Sequence, residues 1–372
     1  KDLSKELYYF SDKVVELPKE VEKQLSLMYE DGTLTELIGN IGASVVNDVN
    51  KSLQKDVINF SQYGKHITDM ADRFEYVVKY ASDNNYRLFI DQNIELTRPV
   101  TLYNNTHIIS NKNKYKIYTS VGTSLNGINL IECYNLSNII IENVKFENTG
   151  YGQSGSNGIN GLFDGFGAGV CFGGCNNITV KDCEFFKCGG YNYSEGCAML
   201  WFSCCQYGII KNNYFHLGDN AITVDRWYAT APSNSNSFNN GIVIEGNLIE
   251  HISGRGICIE NMNDKGNIII TNNIVTDFGV AGVEGRGFQD LIITSNIFNG
   301  DLQLRKNPKD LYNLALPGWN WATNILNMPK YGVQLISGGD RQIISNNIIR
   351  FLNSQGITLG DVTNSLIIGN RI

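Results

Sequence analysis

No run in this 372-residue sequence approaches the roughly 18 consecutive apolar residues that a membrane-spanning helix needs, so no membrane span is expected. Positive charge is also scarce. Lys and Arg number 30 against 37 Asp and Glu, a net charge of −7, which argues against nucleic acid as a partner. The same balance disfavours a strongly anionic ligand unless local Arg or Lys offset it. Nine cysteines fall between Cys133 and Cys258, but Cys171/Cys175, Cys183/Cys188 and the adjacent Cys204/Cys205 make no paired CxxC zinc spacing. They read as buried thiols acting as small apolar residues, without disulfides. From about residue 138 onward helical periodicity is missing too, which leaves strands and corners to build that part of the fold.

What recurs instead is a phrase: apolar-x-apolar, two polar or small residues, then an apolar pair. Copies stand at 138–146 (NIIIENVKF), 177–185 (NITVKDCEF), 208–215 (GIIKNNYF), 241–249 (GIVIEGNLI), 267–275 (NIIITNNIV), 291–298 (LIITSNIF), 342–349 (QIISNNII) and 366–372 (LIIGNRI). When the last apolar residue of each copy is aligned, the position two before it is Val144, Cys183, Asn213, Asn247, Asn273, Asn296, Asn347 and Asn370. Six of those eight are Asn, so one corner of the unit is specified by one residue type. A unit this short cannot bury its apolar face alone and must stack on its neighbours. β-branched runs of alternating character, broken by Gly and Asn, make each unit one turn of a parallel β-helix. The recurring Asn is expected to take a left-handed backbone at the corner and to hydrogen-bond its copies above and below.

Residues 1–56 differ in kind. Leu3, Leu7, Phe10, Val14, Leu17, Val21, Leu25 and Met28 form a heptad stripe that Pro18 interrupts, and a second amphipathic run follows Gly32. A stripe so narrow favours bundling with copies of itself. Residues 57–110 read as β-α-β: a strand and turn over 57–64, a helix over 69–82, and three short strands over 87–110. The β-helix body over 111–372 carries three long insertions, at 150–169, 226–240 and 300–335. The chain opens at Lys1 and stops one strand into a repeat, as a fragment or processed product would.

The stretches VINFSQYGKHITDMADRFEYVVKYA and LFIDQNIELTRPVTLYNNTHIIS resemble the start of the pectate-lyase-like β-helices of phage tailspikes and pre-neck appendages. There a strand leads to a helix that caps the first coil. The chain departs from that pattern in carrying KHITDMAD where GDGxTDDT is usual. The segment MYEDGTLTELI (28–38) is similar to sequences just ahead of such β-helices. The resemblance implies a right-handed, pectin-lyase-like parallel β-helix with an α-helical N-terminal head. It also implies a homotrimer attached through that head to phage tail or neck proteins, a location on the virion, and action at the bacterial surface.

A second recurring stretch follows each Gly corner: 189–200 (GGYNYSEGCAML), 216–225 (HLGDNAITVD), 251–260 (HISGRGICIE) and 277–287 (DFGVAGVEGRG). Stacked as neighbouring rungs, these would form one outward strip carrying Glu195, Asp219, Asp225, Arg255, Glu260, Glu284 and Arg286. Glycoside hydrolysis uses two carboxyl groups about 5–5.5 Å apart for retention and about 6.5–9.5 Å for inversion, which neighbouring rungs supply. The order also resembles the polygalacturonases, whose NTD, GDD, GHG and RIK motifs fall on four successive coils. On that resemblance Glu195 takes the Asp of the first motif, and Asp219 and Asn220 take the Asp pair. Arg255 takes the His, with Glu284 and Arg286 at the Arg and Lys. Glu195 and Asp219 are the first candidates for the catalytic pair, with Asp225 and Glu284 next.

Arg226, Trp227, Tyr228, Arg255, Glu260 and Arg286 are candidates to line a polymer-binding groove, with Trp319 and Trp321 on the third insertion offering flat faces to sugar rings. No cofactor is expected. A Ca²⁺ site of the pectate-lyase kind finds no clear ligand cluster in the sequence. The readings left open are a hydrolase of capsular polysaccharide or wall teichoic acid, a non-catalytic receptor-binding fibre, and a structural shaft whose active domain lies beyond Ile372.

Overall fold

The computed structural model describes residues 57–119, 129–148, 168–188, 198–226, 238–252, 254–260, 265–300, 330–350, 352 and 354–372. The helical head expected over 1–56 lies outside these residues, as do most of the three insertions. The described chain opens with the strand Val57–Asn59, a 3₁₀ turn at Phe60–Gln62 and a helix, α1, at Met70–Asp83. Asp69 starts α1 by accepting the Asp72 backbone N–H at 2.9 Å. Phe74, Val77 and Val78 are fully buried, with Ala71 and Ala81 on the same face, and α1 packs on the strands Arg87–Ile90 and Ile94–Glu95. The charged side of α1 is tied down by Arg98, which reaches both Asp72 and Glu75. The helix runs one residue later at each end than the sequence spacing suggests, and the strands around it fall where they are expected.

From there every coil repeats three strand positions, and each position stacks on its copies in parallel. The first ladder runs through Ser137–Glu142, Asn176–Lys181, Gln206–Lys211, Ile242–Glu245, Lys265–Thr271 and onward to Leu366–Ile368. The second runs through Lys145–Asn148, Glu184–Phe186, Tyr214–Gly218, Leu248–Ile252, Ile274–Phe278, Ile297–Asn299 and Ile348–Arg350. The third runs through Ile131–Tyr134, Val170–Gly173, Ala198–Ser203, Asn220–Asp225, Arg255–Ile259, residues 281–286, residues 331–336 and Ile357–Leu359. Alternation turns every second side chain inward. Ile139, Ile141, Phe146, Phe185, Phe202, Phe215, Ile244 and Ile270 are completely buried along the axis. Phe146, Phe185 and Phe215 stack on one another at 5.0 and 4.8 Å, so the core is an aromatic and aliphatic column rather than a sphere.

The corner between the first two ladders divides its labour between two residues. The left-handed backbone belongs to Asn143, Asp182, Asn212, Gly246, Asn272, Ser295, Asn346 and Gly369. The recurring Asn comes one residue later, with an ordinary backbone, and supplies the side chain. Asn213 donates from its main-chain N–H and its Nδ2 to Asn247 Oδ1 at 2.9 and 3.0 Å, and its Nδ2 also reaches the Val180 carbonyl. Asn247, Asn273, Asn296 and Asn347 repeat the pattern down to Asn370. The expectation that one Asn does both jobs is therefore corrected: a side chain aimed along the helix axis is set by the turn before it. Cys183 occupies the same column and takes the first amide bond from its backbone N–H. All eight described cysteines are buried thiols, and burial is the main cause that lifts Cys183 to about 12.

Candidate functional site

The outward residues of the third ladder form three columns. One holds Ala168, Ala198, Asn220, Arg255, Ala281 and Tyr331. The next holds Glu132, Cys171, Trp201, Thr223, Cys258, Glu284 and Gln334. The last holds Tyr134, Gly173, Ser203 and Asp225, with Glu260 and Arg286 in continuing register below. Five of the residues expected on the strip, Asp225, Arg255, Glu260, Glu284 and Arg286, fall on these columns, which are more enclosed than an open groove. Glu132 is 0 % exposed, Thr223 2 %, Glu284 2 %, Asp225 5 % and Arg255 9 %. Among the charged residues of these columns, Glu260 and Arg286 reach solvent, at 27 % and 44 % of their side chains.

The sequence-predicted residues separate into three groups. Glu195, Trp227, Tyr228, Trp319 and Trp321 lie outside the described residues. Asp219 sits at the corner before its strand, stacked on Gly254, whose N–H donates to the Asp219 carbonyl at 3.2 Å. It is buried, and it is six residues from Asp225 along one extended strand, about 20 Å away. Asp219 and Asp225 therefore do not form a pair. Asp225, Glu260, Glu284, Arg255 and Arg286 do come together, over three consecutive coils, and half-exposed Arg226 follows Asp225 at the end of its strand.

Within that group the rung spacing sets the distances. Asp225 and Glu260 share a column on adjacent rungs, so their Cα atoms are about 4.8 Å apart. Glu260 and Glu284 lie one rung and one column apart, about 8 Å, and Asp225 and Glu284 about 12 Å. The Asp225 carboxylate accepts the Trp201 indole N–H at 2.7 Å, across a diagonal of the face, and its carbonyl is bonded by Asn239. Glu284 is gripped by two cations: Arg255 Nε stands 2.9 Å from one carboxylate oxygen and an Arg286 terminal nitrogen 2.9 Å from the other. Arg286 also comes within 4.0 Å of Glu260. Burial would lower the Arg255 guanidinium, but Cys258, Glu284 and Glu260 around it outweigh that and hold it firmly charged. A buried, doubly paired carboxylate such as Glu284 is an organiser of neighbouring groups. Asp225 and Glu260 put one buried and one half-exposed carboxyl on neighbouring rungs.

Three parts of this face were not read from the sequence. Glu132 accepts from Asn129 Nδ2 at 2.7 Å and from Tyr134 at 2.9 Å, and it heads the column that passes through Glu284. Trp201 packs with Ala168, Cys171 and Ala198 as a small apolar patch on the outside of the coil. Thr223 lies in the middle of the same column. The signal was the register: 131–134 (IECY) and 198–203 (AMLWFS) are earlier copies of the strand that carries Asp225. Among the described residues no cluster of three or more His, Cys, Asp or Glu is placed to hold a metal ion, and no helix is long and apolar enough to cross a membrane.

Comparison with solved structures decides the fold. PfbA, a surface adhesin of Streptococcus pneumoniae, superposes with a TM-score of 0.55 at 15 % identity, covering 84 % of this chain and 79 % of its own. A second structure of that adhesin gives 0.53 at 13 % identity, covering 85 % and 97 %. This chain is a right-handed parallel β-helix. The Dettilon tailspike protein also aligns over 85 % of this chain and 68 % of its own, with 11 % identity and a TM-score of 0.37. No protein-family model matches the sequence, and no curated protein matches it.

Proposed function

We propose that this β-helix binds a bacterial surface polymer and hydrolyses it, as the tailspike or pre-neck appendage of a bacteriophage. The observation that carries the reading is the meeting of Asp225, Glu260 and Glu284 with Arg255 and Arg286 on one outward face over three coils. Asp225, whose bond from the Trp201 indole is strongest when the carboxylate is ionised, serves as nucleophile or base. Glu260, open to solvent, serves as the acid that protonates the leaving oxygen. Adjacent rungs bring the two close to the separation of retaining hydrolysis. Arg255 and Arg286 hold Glu284, and through it the shape of the site. Likeness in fold to a bacterial surface adhesin is consistent with a surface polymer as ligand. Capsular polysaccharide and wall teichoic acid are the two candidates.

A trimer attached to the virion through residues 1–56 completes the reading. Its interface would use the first ladder, whose outward column Ile140, Thr179, Ile209, Val243, Ile269, Ile292, Ile343 and Leu366 is apolar except at Thr179. Exposure there reaches 42 % at Ile209 and 51 % at Leu366. The charges beside that column are already paired within the chain, Lys181 with Glu142 and Lys211 with Glu245, both at 3.0 Å. Copies can therefore approach without like-charge repulsion.

The test is release of reducing ends or phosphate from purified capsule and cell-wall polymers. Wild type would be compared with Asp225→Asn, Glu260→Gln, Glu195→Gln and Asp219→Asn. Loss of about 100-fold or more in turnover for the first two variants, with binding kept, is the expected result. Loss confined to Glu195→Gln and Asp219→Asn would move the chemistry to that pair. Tight binding by the wild type without turnover favours the second reading, a receptor-binding fibre on the same face.

A further inference from the structure

Four side-chain atoms on this face are buried without a hydrogen-bond partner: Asn220 Nδ2, Thr223 Oγ1, Arg255 Nε and Glu284 Oε1. Native proteins leave few such atoms, because each costs about 1–3 kcal/mol of uncompensated desolvation. Here four occur together, on three consecutive coils, on residues at most 9 % exposed.

Their orientation is fixed. The Arg255 backbone N–H donates to Asn220 Oδ1 at 2.9 Å, so that oxygen is committed and the amide nitrogen must present its N–H groups elsewhere. Turning the amide over would set donor against donor. Arg255 runs along its own strand to Glu284, where Nε stands 2.9 Å from one oxygen without being aimed at it. Arg286 approaches the other oxygen at 2.9 Å with the same misalignment. Thr223 lies in the Glu284 column with Cys258 between them. The stretch thus offers donors from Asn220 and Arg255, an acceptor on Glu284, and a Thr223 hydroxyl able to serve as either. The solvent-exposed charged side chains beside it are Glu260 and Arg286.

Donor and acceptor capacity selects among the ligands that could satisfy this set. A carboxylate or phosphate, as an acceptor only, would have nothing to give Glu284. A sugar hydroxyl both accepts and donates. We infer that Asn220, Thr223, Arg255 and Glu284 form a subsite for an uncharged sugar, reading adjacent hydroxyls and discriminating against acidic units. This inference rests on the polymer-binding function proposed above and narrows it to neutral glycans.

The test uses surface polymers purified from bacteria and separated by anion exchange into neutral and acidic fractions. Calorimetric binding to each would be measured for wild type, Thr223→Val and Asn220→Asp. The wild type is expected to bind the neutral fraction. Thr223→Val should weaken that binding about tenfold while leaving the melting temperature unchanged or raised, since it removes an unsatisfied hydroxyl. Asn220→Asp keeps the acceptor for the Arg255 N–H, replaces the free donor with a charge, and should weaken binding by about tenfold or more. Preference for the acidic fraction overturns the inference while leaving polymer binding intact. So does neutral binding that ignores both variants, or a lowered melting temperature in Thr223→Val, which would mean the hydroxyl is satisfied within the fold. Binding to neither fraction removes the polymer-binding reading and the subsite with it.

Discussion

Replacing Asn247 by Ala tests the corner that organises the whole β-helix. Its Oδ1 receives both the main-chain N–H and the Nδ2 of Asn213, and its own Nδ2 supplies the Ile210 carbonyl and Asn273 Oδ1. Alanine removes all four bonds at a position 1 % exposed to water. The Asn213 side chain retains the Val180 carbonyl, and Asn273 retains the Asn247 backbone N–H, so those groups lose only part of their pairing. The Asn213 backbone N–H loses its partner and the Ile210 carbonyl loses a donor. At about 1–3 kcal/mol for each buried group left unsatisfied, plus a small cavity, the expected cost is about 3–5 kcal/mol. Asn370→Ala is the internal control. It ends the same ladder with three side-chain bonds, but it is half-exposed, so water replaces the amide and the cost should be about 1 kcal/mol. Urea unfolding followed by far-UV circular dichroism measures both. A cost below about 1 kcal/mol for Asn247→Ala, or one no greater than that of Asn370→Ala, would refute the account of the ladder as a buried polar spine. Asn247→Asp should be worse than alanine at neutral pH, because it points a carboxylate oxygen at the Ile210 carbonyl.

Other consequences concern charge, space and assembly. Burial tends to raise the Glu184 carboxyl, but hydrogen bonds from His216 and Lys145 outweigh it and hold it at about 2. A carboxyl depressed on folding contributes stability above its unfolded value of 4.5, and that contribution fades as pH falls from there toward about 2. Glu184→Gln should therefore cost about 1–2 kcal/mol near pH 7, after allowance for partial solvent screening, and converge on wild type near pH 2 in urea titrations. Gly282→Ala would set a methyl 2.3 Å from the Phe298 ring and 2.7 Å from the Gly332 carbonyl, so a loss of about 2 kcal/mol or more in thermal unfolding is expected. Ile209→Glu or Ile292→Glu, on the outward apolar column, should convert the proposed trimer to monomer by light scattering without loss of circular dichroism. A trimer that survives both would place its interface elsewhere.

Most of the fold was legible because its specification is local and repeated. Each copy of the phrase says strand, corner and strand in the same way, and eight copies leave a parallel stack as the arrangement that buries all their apolar faces. The Asn column was readable for the same reason, since a buried amide in a ladder must meet another amide. The left-handed residue beside it was not, because that position accepts Asn, Asp, Ser and Gly alike and leaves no fixed letter.

The site was legible only as an inventory. Sequence alone determined which charged residues occur near the third strand of each coil. It did not determine the register that puts Asp225 above Glu260 and carries Asp219 some 20 Å away at a corner. Nor did it determine that Glu284 would be enclosed between Arg255 and Arg286. Those outcomes depend on insertions of unequal length between coils: residues far apart along the chain become rung neighbours only once the intervening segment is looped out. A parallel stack fixes spacing along its axis at one strand width. The chemistry of the face was therefore decided by stacking order, which no single repeat encodes.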